Sequence, residues 1–299
     1  MSARMGQRVS ARMGQRVSAR MGQRVSARMT ADDRAVAVDL TALSVLGVAV
    51  CFAADRLALM SALVAAVVAA RLVLIRAWAG RSLRVEIPFL LLCAVLGGGN
   101  DWNTVVRHGV YAYTVPADHP AFSTIPTWMF VYWGVILRAI AQLATWPRLG
   151  DATLSPGWSA RPLPRVAVQL AIVLITRQAI YRLWAHPWWS WIPFALGIVA
   201  YVALLRPPVR ARRLALVALL IGPPVEMAFI QLGGLHRYAL GWLGGVPVWI
   251  ALWWALGILV WSDLAPRIEA SLGAALGNAP DRRAAGASAE ALRRSTRPQ

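Results

Sequence analysis

The chain has 299 residues, of which 58% are hydrophobic and 15% charged, and its mean hydropathy of +0.54 indicates a membrane protein. Its formal net charge of +18 depends on arginine alone, because the sequence contains no lysine; this excludes Schiff-base retinal proteins, pyridoxal-phosphate enzymes and Walker-type phosphate loops. A basic charge on an apolar chain is typical of cytoplasmic membrane loops, so we expect lipid partners and no nucleic acid.

The amino-terminal residues 2–29 contain the sequence SARMGQRV three times and then begin it a fourth time. The repeat places arginines four residues apart, from Arg4 to Arg28. One hypothesis is a polybasic segment that lies on anionic lipid headgroups. The alternative is a repeat expansion without a selected role, upstream of a start at Met29. We predict that residues 1–34 are a basic repeat segment that is disordered or not native.

Eight apolar stretches follow, each close to the 20 residues that a membrane-spanning helix needs. They are residues 35–54, 57–75, 85–102, 126–146, 166–183, 188–205, 214–234 and 246–264. Counted over alternating loops, 24 arginines lie on one side and 4 on the other. This bias predicts a multi-pass protein of the cell inner membrane with both termini in the cytoplasm.

The predicted fold is therefore an all-α polytopic bundle of about eight helices at residues 35–264. We expect two parallel four-helix halves, at residues 35–146 and 163–264. The tail at residues 265–299 is rich in alanine, glycine, serine and arginine, and after a short helical start it has little apolar surface to bury. We predict that most of this cytoplasmic tail is disordered.

The third and fourth spans share a spacing pattern with the seventh and eighth. Four residues recur 125 positions later: Gly97, Asp101, Gly109 and Tyr113 match Gly222, Glu226, Gly234 and Tyr238. Three more recur 121 positions later: Pro126, Trp128 and Trp133 match Pro247, Trp249 and Trp254. We interpret the pattern as a duplicated hairpin, with halves related by an axis along the membrane normal.

Each of these repeats carries one acid within an apolar span, Asp101 in the first and Glu226 in the second. Ionisable residues at that depth are expensive and mark functional sites. The preceding glycines at 97–99 and prolines at 223–224 are expected to break or distort their helices. In the structural alternative, each acid caps a helix fragment or pairs with Arg138 or Arg177.

If the acids form a site, Asp101 and Glu226 are its candidate catalytic residues, in a pocket that opens outward and has tryptophan walls. The candidate substrate-binding residues are Asn100, Asn103, Arg107, His108, Tyr113, His236, Arg237, Tyr238, Trp128, Trp133, Trp249 and Trp254. Other charges lie nearer the span ends, where they are expected to reach the boundary, and these are Asp39, Arg71, Glu86, Arg177 and Asp263.

The sequence favours neither a metal site nor a cofactor. The four histidines, at 108, 119, 186 and 236, are not paired at the spacings of metal ligands on a helix. Cys51 and Cys93 stand singly inside apolar runs, so neither a disulfide framework nor a thiolate metal site is expected.

The second repeat resembles two groups of known membrane proteins. The residues that carry the resemblance are Gly222, Glu226, Gly233, Tyr238, Pro247, Trp249 and Trp253. Their order is similar to that in a small polytopic bacterial membrane family of unknown function. More loosely, Glu226 to Gly233, then Tyr238 and the residues 243–247, resemble carotenoid hydratase and lycopene-cyclase-like membrane proteins. That resemblance implies that Glu226 is the acid and that the substrate is an isoprenoid.

Three functions stay open at this point. Acid-catalysed hydration or cyclisation of an isoprenoid or other lipid needs a carboxylic acid in an apolar setting and aromatic rings that stabilise a carbocation. A proton-coupled small-molecule transporter would use the same acids between two parallel repeats. A non-catalytic scaffold or lipid-binding protein needs neither. The substrate and the oligomeric state are not determined by the sequence.

Overall fold

The computed structural model describes residues 29–151 and 161–276. Within them the helices are α1 Ala31–Ala53, α2 Leu57–Ala77, α3 Leu83–Trp102, α4 Thr127–Thr145, α5 Pro162–Leu183, α6 Ile192–Leu205, α7 Val209–Gln231 and α8 Ile250–Ala275. A π-helical turn (Asn103–Arg107), two 3₁₀ turns (Pro147–Leu149 and Leu243–Gly245) and two short strands, β1 Tyr111–Tyr113 and β2 His236–Tyr238, complete the described elements. The arginine repeat and the end of the tail lie outside the described residues.

Seven of these helices are long and apolar enough to cross a membrane, which confirms the all-α polytopic fold. The chain is thus a multi-pass helical membrane protein. Helix α6 has only 14 residues, fewer than the predicted span 188–205. It nevertheless runs back along α5. This direction brings the end of α6 to the start of α5, where Arg165 donates a hydrogen bond to the carbonyl of Leu205 at 2.6 Å. Trp188, Trp189 and Trp191 lie in the turn between the two helices and are exposed.

The expected breaks before the two acids do not occur. Helix α3 continues through Gly97–Gly99, and α7 continues through Pro223 and Pro224. The predicted break was wrong because a proline removes only its own hydrogen bond, and the alternative, a distorted helix, stays a prediction. In an apolar setting each further unpaired backbone group costs several kcal/mol, so the remaining helical bonds are kept. Helix α8 also extends beyond the predicted span, through Pro266 to Ala275.

The strands join the two helical hairpins α3–α4 and α7–α8. They pair antiparallel, with Tyr111 opposite Tyr238, Ala112 opposite Arg237 and Tyr113 opposite His236. At the offset of 125, Tyr111 corresponds to His236 and Tyr113 corresponds to Tyr238, so the first pair and the third pair are equivalent. The pairing is therefore two-fold symmetric about the central pair. Each strand also follows a glycine at positive φ, 60° at Gly109 and 54° at Gly234.

The two hairpins also share a close contact between their helices. A Cβ atom on Gly97 would lie 2.7 Å from the Cβ of Trp133, and one on Gly222 would lie 2.5 Å from Cδ1 of Trp254. Both distances are too short for a real Cβ atom, so α4 and α8 approach their partner helices only where glycine stands. The two glycines are 125 residues apart and the two tryptophans 121 residues apart, as in the sequence pattern.

Single cysteines introduced into a protein whose Cys51 and Cys93 are replaced by serine should report its orientation. We expect an impermeant thiol reagent added to intact cells to label His119→Cys and His186→Cys, and to label Val209→Cys only after the membrane is opened. The three positions are exposed in the structure, so access depends on the side of the membrane. Labelling of Val209→Cys alone in intact cells would reverse the orientation that the arginine bias predicts.

Candidate functional site

Asp101 lies near the end of α3 and is fully buried. Its carboxylate accepts hydrogen bonds from the hydroxyls of Tyr111 and Tyr113 and from Nε1 of Trp133 at 2.9 Å. The two tyrosines come from β1 and the tryptophan from α4. Three donors use most of the accepting capacity of a carboxylate. Asp101 therefore links the strand and the two helices of the first hairpin through hydrogen bonds.

Glu226 occupies the corresponding position on α7, but its surroundings are less complete. Its Oε2 lies 3.1 Å from Nε2 of His236, a residue of β2, without a hydrogen bond of acceptable angle between them. Among the described residues, neither ring nitrogen of the buried His236 has a hydrogen-bond partner, and neither has Nε1 of Trp254. The second hairpin therefore presents an imidazole and an indole N–H without hydrogen-bond partners in the described part of the chain, and the imidazole lies beside a carboxyl group.

Aromatic rings enclose His236. Its ring centroid lies between 5.2 and 6.0 Å from those of three tyrosines, Tyr111, Tyr113 and Tyr238. Burial raises the pKa of all three hydroxyls well above the ordinary value, and the nearby carboxyl groups raise it further. The hydroxyls therefore stay protonated at neutral pH. We name the residues Asp101, Tyr111, Tyr113, Glu226, His236 and Tyr238 the strand cluster.

Tryptophans cover the inner side of the strand cluster. The rings of Trp133 and Trp254 are stacked with centroids 6.2 Å apart, and Trp249 packs edge-on against Tyr238 at 5.8 Å. Trp128 is also buried, and no partner for its Nε1 is found within the described part of the chain. These side chains pack against one another and against the strand cluster, and the expected pocket with tryptophan walls stays a prediction.

Three of the predicted binding residues belong to a different group. Asn103 donates to the hydroxyl of Tyr181 at 2.7 Å, and the ring of His108 stacks on that tyrosine at 3.6 Å. Asn100 accepts from Arg177, which also donates to Tyr181. Burial and the charges of two nearby arginines lower the pKa of His108, so its ring is neutral at pH 7. This group, centred on α5, holds the π-helical turn in place.

The predicted binding residues thus do not form one site. His236, Tyr113 and Tyr238 lie in the strand cluster with both candidate acids. Asn100, Asn103 and His108 surround Tyr181, and Arg107 and Arg237 are exposed. Neither Asp101 nor Glu226 has an ion pair with an arginine within residues 29–151 and 161–276, so the expected pairing with Arg138 or Arg177 is wrong.

Arg138 pairs with other acids, in a buried ionic cluster that the sequence did not indicate. Glu86 accepts from Nη2 of Arg71 at 2.6 Å and from Nε and Nη2 of Arg138 at 2.8 and 3.0 Å. Asp39 accepts from Nε of Arg71 at 2.7 Å, and Glu269 lies 3.4 Å from Arg138. The members of this ionic cluster, which joins five helices, are Asp39, Arg71, Glu86, Arg138, Gln142 and Glu269.

These charges are buried between the helices rather than exposed on the surface of the bundle. The side chains of Arg71 and Arg138 are 0% exposed and those of Asp39 and Glu86 are 2% exposed. Asp263 is likewise drawn inward, where Arg165 donates to it at 2.9 Å and Gln169 donates as well. A signal for the pairing exists in the sequence, since each arginine within a span needs an acid at a similar depth.

The described residues contain no group of three histidine, cysteine or acidic side chains close enough to hold a metal ion. Comparisons with protein-family models, with curated proteins and with solved structures found no match for the chain. The chain is a multi-pass helical membrane protein. Its strand cluster contains two acids, one with three hydrogen-bond donors and one with a single contact to a histidine.

Proposed function

We propose that this protein is an integral membrane enzyme that hydrates or cyclises an isoprenoid or a similar unsaturated lipid at Glu226. The observation that supports the proposal is the difference between the two acids. Asp101 accepts hydrogen bonds from three donors, whereas Glu226 has a contact of 3.1 Å with Nε2 of His236, whose ring nitrogens have no hydrogen bond within the described residues. Buried polar groups without partners are rare in finished structural clusters and point to a function.

The proposal includes an internal duplication of the chain. The symmetric strand register, the two glycine–tryptophan contacts and the paired acids all follow the same two offsets. One more pair of polar residues has the same offset. Gln142, in the ionic cluster, and Asp263, which pairs with Arg165, are also 121 residues apart. We infer that the two hairpins descend from one unit, and that the first copy became structural while the second acquired the reaction.

The reaction that fits these groups begins with protonated Glu226. Its proton adds to one carbon of a trisubstituted double bond, and the electron pair of that bond leaves a tertiary carbocation on the other carbon. In hydration, water attacks the cation and loses a proton to the carboxylate or to His236. In cyclisation, a second double bond of the substrate attacks the cation and closes a ring, and the new cation on that bond's other carbon loses a neighbouring proton to the carboxylate to form a double bond. The rings of Tyr111, Tyr238 and Trp254 supply π faces that stabilise the cation.

The substrate class follows from the surroundings of the site. The cluster lies between apolar helices and is lined by aromatic rings, so a long polar substrate has no counterpart in it. A lipid-soluble polyene in the bilayer meets these conditions. We place the protein in the cell inner membrane, with both termini cytoplasmic and the strand cluster in the outer half of the bilayer, because the arginine bias favours this orientation.

Lipid and pigment extracts test the proposal. Cells that produce the wild-type protein should accumulate a hydrated or cyclised product that is missing from cells without it, and Glu226→Gln should reduce that product by at least about a hundredfold, because the amide cannot donate the proton. Asp101→Asn is the matched control in the first repeat, and it should keep more product than Glu226→Gln. Equal products in all four extracts would contradict the enzyme. Substrate-driven proton uptake by liposomes that contain the protein would favour the transporter instead.

A further inference from the structure

A cavity lies between the end of α4, the start of α7 and the carboxyl-terminal half of α8. Its polar lining consists of Thr145, Arg210, Ser262, Asp263 and Arg267. It is separate from the strand cluster, since α4 and α7 bring their opposite ends to that cluster. The cavity lies at the end of the bundle where arginines are concentrated, at the level of the lipid headgroups.

Two groups in this cavity are hydrogen-bond donors without a partner. Nε of Arg267 and Oγ of Ser262 are buried, and the structure gives neither a hydrogen bond within residues 29–151 and 161–276. Ser262 and Arg267 lie about one and a half turns apart on α8 and line the same cavity. Each of these two donors on the lining of one cavity needs an acceptor, and an anionic oxygen is the strongest one.

Arg210 adds a positioned positive charge. Its Nε donates to the carbonyl of Gly150 at 2.9 Å and its Nη1 to the carbonyl of Ala144 at 3.2 Å. Carbonyl oxygens orient the guanidinium but do not neutralise it, so its charge acts on the cavity. Both bonds also hold the start of α7 against the end of α4, which fixes the position of the arginine.

The one acid of the lining does not cancel these charges. Asp263 is bonded to Arg267 at 3.2 Å and to Arg165 at 2.9 Å, so its negative charge is shared between two arginines. Of the residues that line the cavity, two arginines, Arg210 and Arg267, face this single carboxylate. The cavity therefore keeps an excess of positive charge, at the depth where phosphate groups of the bilayer lie.

We propose that this cavity binds a phosphate group, in the form of the phosphate monoester headgroup of an anionic lipid in the cytoplasmic leaflet. Arg267 Nε and Ser262 Oγ donate to its oxygens, and Arg210 balances the remaining charge. Basic cavities between transmembrane helices on this side of a membrane are the setting in which headgroups bind. This site does not depend on the chemistry at Glu226, and the acyl chains of the lipid lie along the outer surface of α7, the least buried of the spanning helices.

The experiment uses the full chain purified in a neutral detergent. Native mass spectrometry measures the binding of dioctanoyl phosphatidic acid, and inorganic phosphate is added in a second arm as a competitor. We expect one saturable lipid per chain, and we expect Arg267→Gln to weaken its binding about tenfold, the loss of one charge-assisted hydrogen bond. Ser262→Ala, which removes only the hydroxyl, should weaken it about threefold and serves as the variant that keeps the fold.

Arg76→Gln is the matched control. Arg76 is exposed at the same end of the bundle, so this substitution removes the same charge outside the cavity. It should bind the lipid within twofold of wild type. Displacement by millimolar inorganic phosphate supports the phosphate site and identifies the free anion as a second ligand, whereas no displacement supports the lipid as the source. Equal losses in Arg267→Gln and Arg76→Gln, or no saturable binding by wild type, would overturn the proposal.

Discussion

Replacing Glu86 with alanine is expected to lower the free energy of unfolding by about 3–5 kcal/mol, the range found when one partner of a buried ion pair is removed. Glu86 accepts three hydrogen bonds from Arg71 and Arg138, and the side chains of both arginines are completely buried. Without this carboxylate, Asp39 and the more distant Glu269 face two buried guanidinium groups. The uncompensated charge then destabilises the bundle.

The measurement is unfolding in mixed micelles, followed by the fluorescence of the chain's tryptophans. Asp32→Asn is the control, because Asp32 pairs with Arg81 at 3.0 Å with its side chain 48% exposed. An exposed pair of this kind contributes less than about 1 kcal/mol. The double variant Glu86→Leu with Arg138→Met should lose less than the sum of the two single changes, since it removes both charges together. Similar losses in Glu86→Ala and Asp32→Asn would show that the ionic cluster contributes little.

The second large effect is expected at Asp101, where alanine should cost about 2–4 kcal/mol of unfolding free energy. The change leaves the hydroxyls of Tyr111 and Tyr113 and the indole N–H of Trp133 without their acceptor, in a position closed to water. Each unpaired buried donor costs about 1–3 kcal/mol, and partial repacking of the two hydroxyls reduces the total. The strand pairing depends on these tyrosines, so we expect it to loosen as well.

Glu226→Ala is the comparison that separates structure from function. We expect it to cost only about 1–2 kcal/mol, because the structure gives Glu226 a contact with His236 but no network of donors. Product formation should respond in the opposite order, with the larger loss at Glu226. If Glu226→Ala instead destabilises the protein as much as Asp101→Ala, then the second acid is structural too, and the proposed division between the repeats is wrong.

The sequence predicted the fold class because hydropathy is a local property that adds up along the chain. Stretches such as residues 57–75 need a helix and a membrane whatever their neighbours are. The recurrence at offsets of 125 and 121 also anticipated which parts would correspond, and the structure places Tyr111 and Tyr113 against Tyr238 and His236 in a symmetric register. Fixed spacing is informative here because, in the duplication that we propose, corresponding residues of the two hairpins meet around one axis.

Only the tertiary structure decided which charged side chains pair with one another and how many partners each of the two acids has. Arg138 is 52 residues from Glu86 and 131 from Glu269, and no spacing rule connects the three. Whether a polar side chain on a membrane helix faces lipid or the bundle depends on the rotation of that helix against its neighbours, which hydropathy does not fix. The same rotation gives Asp101 three hydrogen-bond donors, and it leaves the ring nitrogens of His236, beside Glu226, without a hydrogen bond in the described part of the chain. Contact between residues distant in the chain, rather than their order along it, therefore separates the structural acid from the candidate catalytic one.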